Sequence, residues 1–409
     1  MGGLLAAANV GLLLAAIVLA LGLLGIPQSR DGWRARYMEA LEELAAATAE
    51  RDSLLPWTMH GSPPSWVVEI RDGICRGEEI ATGRIVENQD PVPVMQGAID
   101  GLPAGGGKIL LRAGTYVLSR SIEDGGRDFV IIQGEGWNTT LVIANNTKDT
   151  VLDVRGRTGW IVSDLAIDGN KENNEQRPGG VPNDMDQNGI HLFQTTHSRI
   201  VRCHVHDTVF HGINVHYEST DNVVEDCLVE RCGSLGDYGA SSGILVFSSS
   251  ARNIVRRNRC LDNHARGIYI SAYSSDCIIS DNIVTGGSAE VAQGIIVMDN
   301  SDRVELRNNT IKDVPGNGID VGNRYGPGYD GPIIVGNQVI NPGGSGIWCG
   351  PGGANADVTR NYIRNPAVYG IWTQGTGGRI THNNIIGYGK AAVQADSGST
   401  LVAENNEAR

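Results

Sequence analysis

Five side chains that can transfer protons lie close together in the 409-residue chain: Asp184, Asp186, His191, His211 and His216. A pair of carboxyl groups can hydrolyse a glycosidic bond, with one as acid and the other as base or nucleophile. An imidazole can abstract the proton beside a uronate carboxylate. The segment therefore predicts acid–base chemistry on a polysaccharide, with these five residues as candidate catalytic groups. The alternative is local hydrogen bonding, because Asp, Asn and His are common in turns.

A second set of residues offers contact surfaces. Tyr269, Trp348 and Trp372 occupy the third position of a recurring Gly-Ile-x-Val motif, and Asn214 and Asp320 occupy that position in other copies. Tryptophan and tyrosine rings on a flat face can stack on the apolar faces of sugars while their polar tips bond hydroxyl groups. We take these five residues as candidate glycan-binding groups.

The same face carries apolar side chains. Leu245 and Ile296 stand at the third position of the motif, and Phe247 and Met298 follow two residues later. An apolar patch of this kind marks a contact between subunits or a surface under a covering loop. These four residues are our candidate interface. They favour a homo-oligomer, for which a trimer is a working guess.

The motif predicts the fold, because it recurs at short and similar intervals. Its copies begin 22 to 31 residues apart, and a worn last copy begins at Ala392. A period of this length is that of a solenoid and is too short for a helical crossover after each strand. The copies begin at Gly189, Gly212, Gly243, Gly267, Gly294, Gly318, Gly346 and Gly370.

A second register runs in step with the first and marks another corner of each repeat. Each of its residues follows a β-rich run with alternating apolar positions, so every coil carries at least two short strands. Asparagines stacked at one place in successive coils can pass side-chain hydrogen bonds up the stack. The register consists of Cys203, Cys227, Asn258, Asn282, Asn309, Asn337, Asn361, Asn383 and Asn405. We therefore predict an all-β, right-handed, single-stranded parallel β-helix.

Composition excludes several classes of partner. The net charge is -13 and no basic patch is visible, so nucleic acid is not expected. Aromatic residues are 5% of the chain and glycines number 55, which suits tight turns around a thin aliphatic core. The seven cysteines show no metal-binding spacing, so neither a metal nor another cofactor is predicted. We favour buried, inert thiols over a disulfide framework.

The amino-terminal end differs from the rest of the chain. Residues 3–26 are uncharged and apolar, long enough as a helix to cross a hydrocarbon layer of about 30 Å. Residues 1–27 are therefore predicted to be a membrane or virion anchor. A cleaved signal peptide is the alternative, but no basic segment precedes the apolar run. Arg30, Arg34 and Arg36 follow it, which by the positive-inside rule would keep the β-helix cytoplasmic unless the rule is overridden.

Residues 28–55 read as a helical stalk. Their heptad-like seam has alternating steps of four and three, the spacing of a coiled coil, although two of its positions are polar. A lone amphipathic helix is the alternative. Residues 56–89 are assigned to a linker and short strands, and 90–409 to the β-helix. The seam residues are Tyr37, Leu41, Leu44, Thr48, Arg51 and Leu55.

Residues 90–122 carry a family resemblance. They read as an amphipathic helix, a glycine turn and a strand that leads into Gly114-Thr115-Tyr116, and a later strand ends in Gly134-Glu135-Gly136. This order resembles the pectate-lyase-like superfamily of right-handed parallel β-helix proteins, in which a short helix caps the solenoid. The superfamily includes polysaccharide lyases, polygalacturonases, alginate epimerases, phage tailspikes and non-catalytic surface proteins, so the resemblance implies the fold more strongly than an activity.

The catalytic motifs of those enzymes are incomplete here. Phe210-His211-Gly212 resembles the Gly-His-Gly of polygalacturonases, but Phe210 replaces the first glycine. Asp186-Gln187-Asn188-Gly189 stands where Asn-x-Asp-Gly is expected, and the Asp-Pro-His of alginate epimerases is absent. The resemblance therefore implies no inherited activity.

Three functions follow from these observations. The first is a surface-displayed, multimeric β-helix spike or fibre, on a virion or cell surface, that binds polysaccharide. The second is a membrane-anchored polysaccharide lyase, hydrolase or epimerase. The third is a structural assembly protein whose outer face only joins subunits. Under all three we expect a location at the cell surface or on a virion, with residues 3–26 contacting the membrane or shell.

Overall fold

The structure is a computed structural model, and it describes most of the chain beyond residue 61. Candidate residue Asp184 and the predicted anchor and stalk, 1–27 and 28–55, lie outside the described residues. No helix in the described part has the length and apolar character needed to span a membrane. The described residues are 62–174, 186–234, 241–290, 292–322, 331–351, 355–375, 377–396, 402–404 and 406–409.

Each coil of the described chain contributes three short strands, one to each of three sheets, where the sequence predicted at least two. In the second half of the first sheet, sheet A, every strand pairs in parallel with its counterparts one coil before and after, and the register has no slips. The fold is the predicted all-β parallel β-helix. Sheet A contains Ile85–Asn88, Ile74–Glu79, Trp66–Arg71, Gly107–Leu111, Val130–Gln133, Ile161–Ser163, Arg199–Val201, Val223–Glu225, Ile254–Arg256, Ile278–Ser280, Glu305–Arg307, Ile333–Val335, Asp357–Thr359, Arg379–Thr381 and Val402–Glu404.

Sheet A begins with Trp66–Arg71, Ile74–Glu79 and Ile85–Asn88, which pair antiparallel, whereas sheets B and C complete the coil and are parallel throughout. Sheet B contains Gly114–Leu118, Thr139–Ile143, Ala166–Asp168, His204–His206, Leu228–Glu230, Arg259–Leu261, Ile283–Thr285, Thr310–Lys312, Gln338–Ile340, Tyr362–Arg364, Asn384–Ile386 and Glu407–Ala408. Sheet C contains Ile122–Glu123, Leu152–Arg155, Ile190–Phe193, Ile213–His216, Ser242–Phe247, Arg266–Ile270, Gln293–Met298, Ile319–Gly322, Ile347–Cys349, Tyr369–Thr373 and Ala391–Ala395. The recurring Gly-Ile-x-Val motif forms sheet C, and the asparagine register lies at the corner between sheets A and B.

That corner is a two-residue turn in every coil from Ser163 onward. Its first residue has a positive φ, as in Asp226 (55°) and Asp281 (56°), and its second is the ladder residue. Short polar side chains tolerate this left-handed conformation better than branched ones. The conformation turns the chain sharply and points the second residue into the core.

The ladder side chains satisfy one another and the backbone. The Asn282 amide and its backbone N–H both donate to Asn309 Oδ1, each at 3.0 Å, and Asn309 Nδ2 donates to the Ile279 carbonyl at 2.8 Å. The predicted list ended at Asn405, which lies outside the described residues, but Asn383 donates to Asn406 Oδ1 through both its backbone N–H and its amide, so Asn406 is the last ladder residue. The prediction was therefore wrong by one residue at the last rung.

Glycine begins each sheet C motif because two neighbours leave no room for a side chain. A Cβ on Gly212 would lie 2.4 Å from Val229 Cγ1 and 2.7 Å from the carbonyl oxygen of Gly243 in the next coil. A Cβ on Gly267 would lie 2.2 Å from Val284 Cγ1. The Ile and Val that follow each glycine then fill the core.

A helix closes the amino-terminal end of the solenoid, as predicted. It spans Pro91–Asp100, and Asp90 caps it by accepting a hydrogen bond from the Val92 N–H at 3.0 Å. Its buried side includes Val94 and Ala98, which pack in the same core as the coils. The short helix Lys171–Asn173 is a 3₁₀ turn between sheets B and C. The seven cysteines are buried free thiols, as favoured from the sequence, and burial raises the pKa of Cys349 to about 12.

Replacing Asn309 by alanine should lower the free energy of unfolding by about 3 kcal/mol, because the substitution leaves several buried polar groups without partners. These include the Asn282 amide and the Ile279 carbonyl. The matched control is Asn308→Gly at the exposed neighbouring position with φ 52°, where a change within about 0.5 kcal/mol is expected. Denaturant unfolding followed by circular dichroism measures both. Equal stability of the two variants would contradict a structural role for the ladder.

Candidate functional site

Sheet C has a side that faces away from the core, and we call it the outer face of sheet C. In Ile190–Phe193, Ile190 and Leu192 lie in the core, whereas His191 and Phe193 are on the other side. His191 lies on the side of the strand that the alternation predicts, but its side chain is 0% exposed and does not reach solvent. This part of the outer face is therefore an interior environment and not an open surface.

The first coils of this face hold an Asp–His pair. Asp153 stands in register with His191 one coil earlier, and its Oδ1 lies 3.1 Å from His191 Nδ1. Arg155 contacts the same carboxylate at 2.7 Å. Burial alone would raise the pKa of Asp153, but hydrogen bonds from His191 and Arg155 outweigh it and hold the pKa below its usual range. Because the carboxylate is ionised and can only accept, the proton of His191 is on Nδ1.

His216 lies one coil further along, with its ring centroid 5.8 Å from that of His191. Two buried nitrogens, His191 Nε2 and His216 Nδ1, have no hydrogen-bond partner among the described residues. Phe193 and Phe247 pack against the His216 ring, with centroids 5.7 and 5.6 Å away. Burial, with further contributions from His191 and Arg155, lowers the pKa of His216 to about 4, so the His216 ring is neutral near pH 7.

His211 is buried beside His191 and His216, but it accepts a hydrogen bond from the backbone. Its Nδ1 accepts a hydrogen bond from the Ser242 N–H at 3.0 Å, and its ring packs on Phe210. Burial and the positive charge of Arg266 lower its pKa well below the usual value. Asp186 is half-buried. Of the candidate catalytic residues, the structure thus brings His191 and His216 together, with His211 nearby.

A second cluster lies further along the outer face. Trp348 and Trp372 are half-buried on successive coils, with ring centroids 5.8 Å apart, and Tyr369 packs 5.4 Å from Trp372. Trp348 Nε1 donates to Gln374 at 3.2 Å, and Trp372 Nε1 donates to Asp396 at 3.1 Å. These bonds fix the two indoles while leaving part of each ring accessible.

The other candidate glycan-binding residues lie on the same outer face of sheet C, but two of them are less accessible than Trp348 and Trp372. Tyr269 is half-buried, under the Arg266 guanidinium at 4.5 Å, and lies three coils from Trp348, or about 14 Å away. Asn214 and Asp320 are buried, at 0% and 1% exposure. Asp320 accepts from Asn317 Nδ2 at 3.3 Å and from Gln293. The accessible aromatic surface is therefore concentrated at Trp348 and Trp372.

The candidate interface residues are largely covered within the single chain. Leu245, Ile296 and Met298 are buried, and Phe247 is half-buried. Their side chains face away from the core cluster, as the alternation predicts, yet little of their surface is open to a second chain. An oligomer built on these four residues stays a prediction.

Sheet B carries one further polar group. Among the described residues, Asp168, His206 and Asp207 form the one set of three His, Cys, Asp or Glu side chains whose ligand atoms lie within 4.8 Å of one another. Their partners are already engaged: His206 Nδ1 is 2.8 Å from Asp207, and Arg231 binds both Asp207 oxygens at 3.0 and 2.8 Å. The set is part of an ion-pair network in which Arg231 also contacts Glu230.

Sequence comparison identifies the family. A family model described as "Periplasmic copper-binding protein (NosD)" matches residues 128–407. The chain belongs to the NosD family. The matched range covers nearly all of the coils after the cap, including both clusters on the outer face of sheet C. No curated protein matches the chain in sequence.

Solved structures agree with the family on the fold. The A-module of mannuronan C-5 epimerase AlgE4 from Azotobacter vinelandii is similar with a TM-score of 0.58 at 18% identity, over 78% of this chain and 91% of that one. The GH87 α-1,3-glucanase catalytic unit from Streptomyces thermodiastaticus gives 0.56 at 14%, over 78% and 66%. The exopolygalacturonase from Thermotoga maritima gives 0.56 at 10%, over 78% and 88%. The NosD-family chain therefore has the predicted right-handed parallel β-helix fold.

Sequence reasoning missed two kinds of residue in this NosD-family chain. Asp153 and Arg155 lie one coil before the first Gly-Ile copy. Asp153 precedes His191 by 38 residues, more than the 22 to 31 residues of the repeat, so extending the column back by one period does not reach it. Gln374 and Asp396 orient the two tryptophans from the following coils. They lie just beyond the motif, so alternation along the strand was the available signal.

Acid should destabilise the protein through His216. Because its pKa is lowered to about 4 in the folded chain, the unfolded chain takes up the proton first as the pH falls. Stability should therefore fall between about pH 6.5 and pH 4, by up to about 3 kcal/mol from this group. His216→Gln should reduce this dependence, whereas His197→Gln at an exposed position should not. Denaturant unfolding across that pH range tests this, and identical pH profiles for both variants would contradict the assignment.

Proposed function

We propose that this chain binds polysaccharide along the outer face of sheet C, with Trp348 and Trp372 as the principal contacts and Tyr269 as an outlying one. We place it outside the cytoplasm, in the periplasm or at the cell surface, in keeping with the family's description as periplasmic. The membrane or virion attachment rests on the amino-terminal sequence pattern, and the multimeric spike or fibre rests on that pattern together with the candidate interface residues. They stay predictions within this proposal.

The pair of half-buried indoles carries the proposal. Two ring faces on successive coils, 5.8 Å between centroids, offer adjacent platforms that match the repetition of sugars in a chain. Asp396 and Gln374 lie beside them and are linked to each other at 2.7 Å, so hydroxyl partners are present at the same place. The rigid solenoid holds these groups in position before binding, which reduces the entropy lost on binding. Polysaccharide-acting enzymes with the same fold add support.

Binding without bond cleavage is favoured over the enzyme alternative. The candidate acid–base groups His191, His211 and His216 are 0%, 1% and 7% exposed, so a polymer does not reach them in this structure. The half-buried Trp348 and Trp372 lie several coils away. Of the carboxylates beside them, Asp396 accepts a hydrogen bond from Trp372, and Asp320, in register with Trp348, is 1% exposed. A general acid or base must lie within hydrogen-bonding reach of the scissile bond.

A second candidate function is copper binding, and one observation favours it. The family's description names copper, a metal that imidazole nitrogens suit. The described residues include two buried imidazole nitrogens, on His191 and His216, that no hydrogen bond uses. These two side chains fit such an ion. A bound copper ion would supply a soft, cationic coordination centre on this face, while Asp153 would hold the His191 ring in place.

Replacing Trp348 and Trp372 by alanine should weaken retention on a polysaccharide by about 10-fold or more, because each stacked aromatic contributes roughly 0.5–1.5 kcal/mol beyond its buried area. Affinity electrophoresis through mannuronan, α-1,3-glucan or polygalacturonate measures the retention. Trp348→Phe should retain most of the binding, since it keeps an aromatic face and loses only the Nε1 bond to Gln374.

The matched control is Trp137→Ala. Trp137 is 47% exposed and packs at a tilt against His204 of sheet B, away from the proposed surface. Its replacement should leave retention unchanged. Equal losses in the Trp137 and Trp348 variants, or full retention in the double alanine variant, would place binding elsewhere and overturn the proposal.

Incubation with the same three polymers should release neither unsaturated uronate products nor new reducing ends. The measurement is ultraviolet absorbance together with a reducing-sugar assay, with a polysaccharide lyase as the positive control. Product formation that is lost in His191→Asn and kept in His197→Asn would instead support the enzyme alternative at the buried histidines.

A further inference from the structure

We propose that His191 Nε2 and His216 Nδ1 together bind one copper(I) ion on the outer face of sheet C. This inference rests on the second candidate function, copper binding, and assigns it to particular atoms. It is independent of glycan binding at Trp348 and Trp372.

The spacing of the His191 and His216 rings suits a shared metal ion. The two rings sit on adjacent coils with centroids 5.8 Å apart. A metal bound to imidazole lies about 2.0–2.1 Å from each nitrogen, which places the ring centroids of two such ligands about 5–6 Å apart. Asn214 stands in register with His191 and two residues before His216, so its side chain is on the same face and offers an amide oxygen as a further ligand.

The hydrogen bond between Asp153 and His191 also supports a metal at this position. Asp153 accepts from His191 Nδ1, which fixes the tautomer and leaves the lone pair on Nε2. A carboxylate behind a histidine is the usual outer-shell arrangement for a metal ligand, because it orients the ring and raises its basicity. A buried acceptor with no donor costs free energy, and a bound cation would satisfy it.

The surroundings of the two histidines also suit a bound copper ion. Phe193 and Phe247 pack around His216 and exclude water from it. Arg155 is paired with Asp153 at 2.7 Å. Two imidazole nitrogens in buried, aromatic surroundings favour copper(I) over the harder oxygen-seeking divalent ions.

The network on sheet B is the competing site. Asp168, His206 and Asp207 offer one nitrogen and two carboxylates, but a metal there would have to displace Arg231 from both oxygens of Asp207. The bidentate arginine pair is a strong contact, and its loss would offset the gain from the metal. The outer face of sheet C requires no such displacement.

The test is a titration of the full chain with copper(I) against a chromophoric copper(I) chelator, under anaerobic reducing conditions. The wild type should take one equivalent from the chelator. His191→Asn and His216→Asn should each weaken binding by roughly 100-fold or more, and Asp153→Asn by about 10-fold, as is typical of an outer-shell partner. His197→Asn, at an exposed position, should bind as the wild type does.

Spectra of the wild type avoid dependence on variants that fold poorly. Copper(I) is diamagnetic, so long-range proton–nitrogen correlation spectra of histidine-labelled protein should show two nitrogen signals shifted by one equivalent, and these should be assigned to His191 and His216. A wild type that takes no copper from the chelator overturns the copper function itself. Binding that survives in both asparagine variants, or is lost only in His206→Asn, keeps the copper function and overturns this site.

Discussion

Stacking of the coils in exact register is the constraint on which the rest of the molecule depends. Each strand bonds to the strand one coil away, and the asparagine ladder repeats that register in side chains, with Asn282 and Asn309 bonded at 3.0 Å. A slip by one residue would turn the apolar side of every strand away from the core. Glycine at the start of each Gly-Ile motif in sheet C permits the close approach of successive coils. Columns of equivalent residues, and hence the two clusters, follow from this stacking.

The two clusters use one face in different ways. Near the amino-terminal coils, Asp153, His191 and His216 are buried polar groups, of which two nitrogens lack partners among the described residues. Unsatisfied buried polar groups destabilise a fold and are usually kept for a reason other than stability. Near the carboxyl-terminal coils, Trp348 and Trp372 are half-exposed and oriented by polar neighbours. The face thus combines an enclosed coordinating pair with an accessible aromatic platform.

The sequence predicted the fold well because periodicity is a local signal repeated many times. The repeat period, the asparagine ladder and the cap helix could all be predicted from the sequence. The predicted ladder was wrong only at its last position, where Asn406 accepts the hydrogen bond from Asn383. The candidate site was less predictable. Alternation places His191 and Leu245 on the outer face, but burial depends on what else covers that face, and no pattern within a strand encodes it. Asp153 was missed because its strand lacks the glycine that marks later copies.

The corner between sheets A and B has a consequence for evolution and for engineering. From Ser163 onward its length never changes, whereas the connections between sheets B and C and between C and A differ in length from coil to coil. The register of each coil is therefore set again at this corner, however many residues the other two connections contain. Peptides or whole domains inserted between sheets B and C would leave the strand register of later coils unchanged. This scaffold is therefore suited to diversification by insertion.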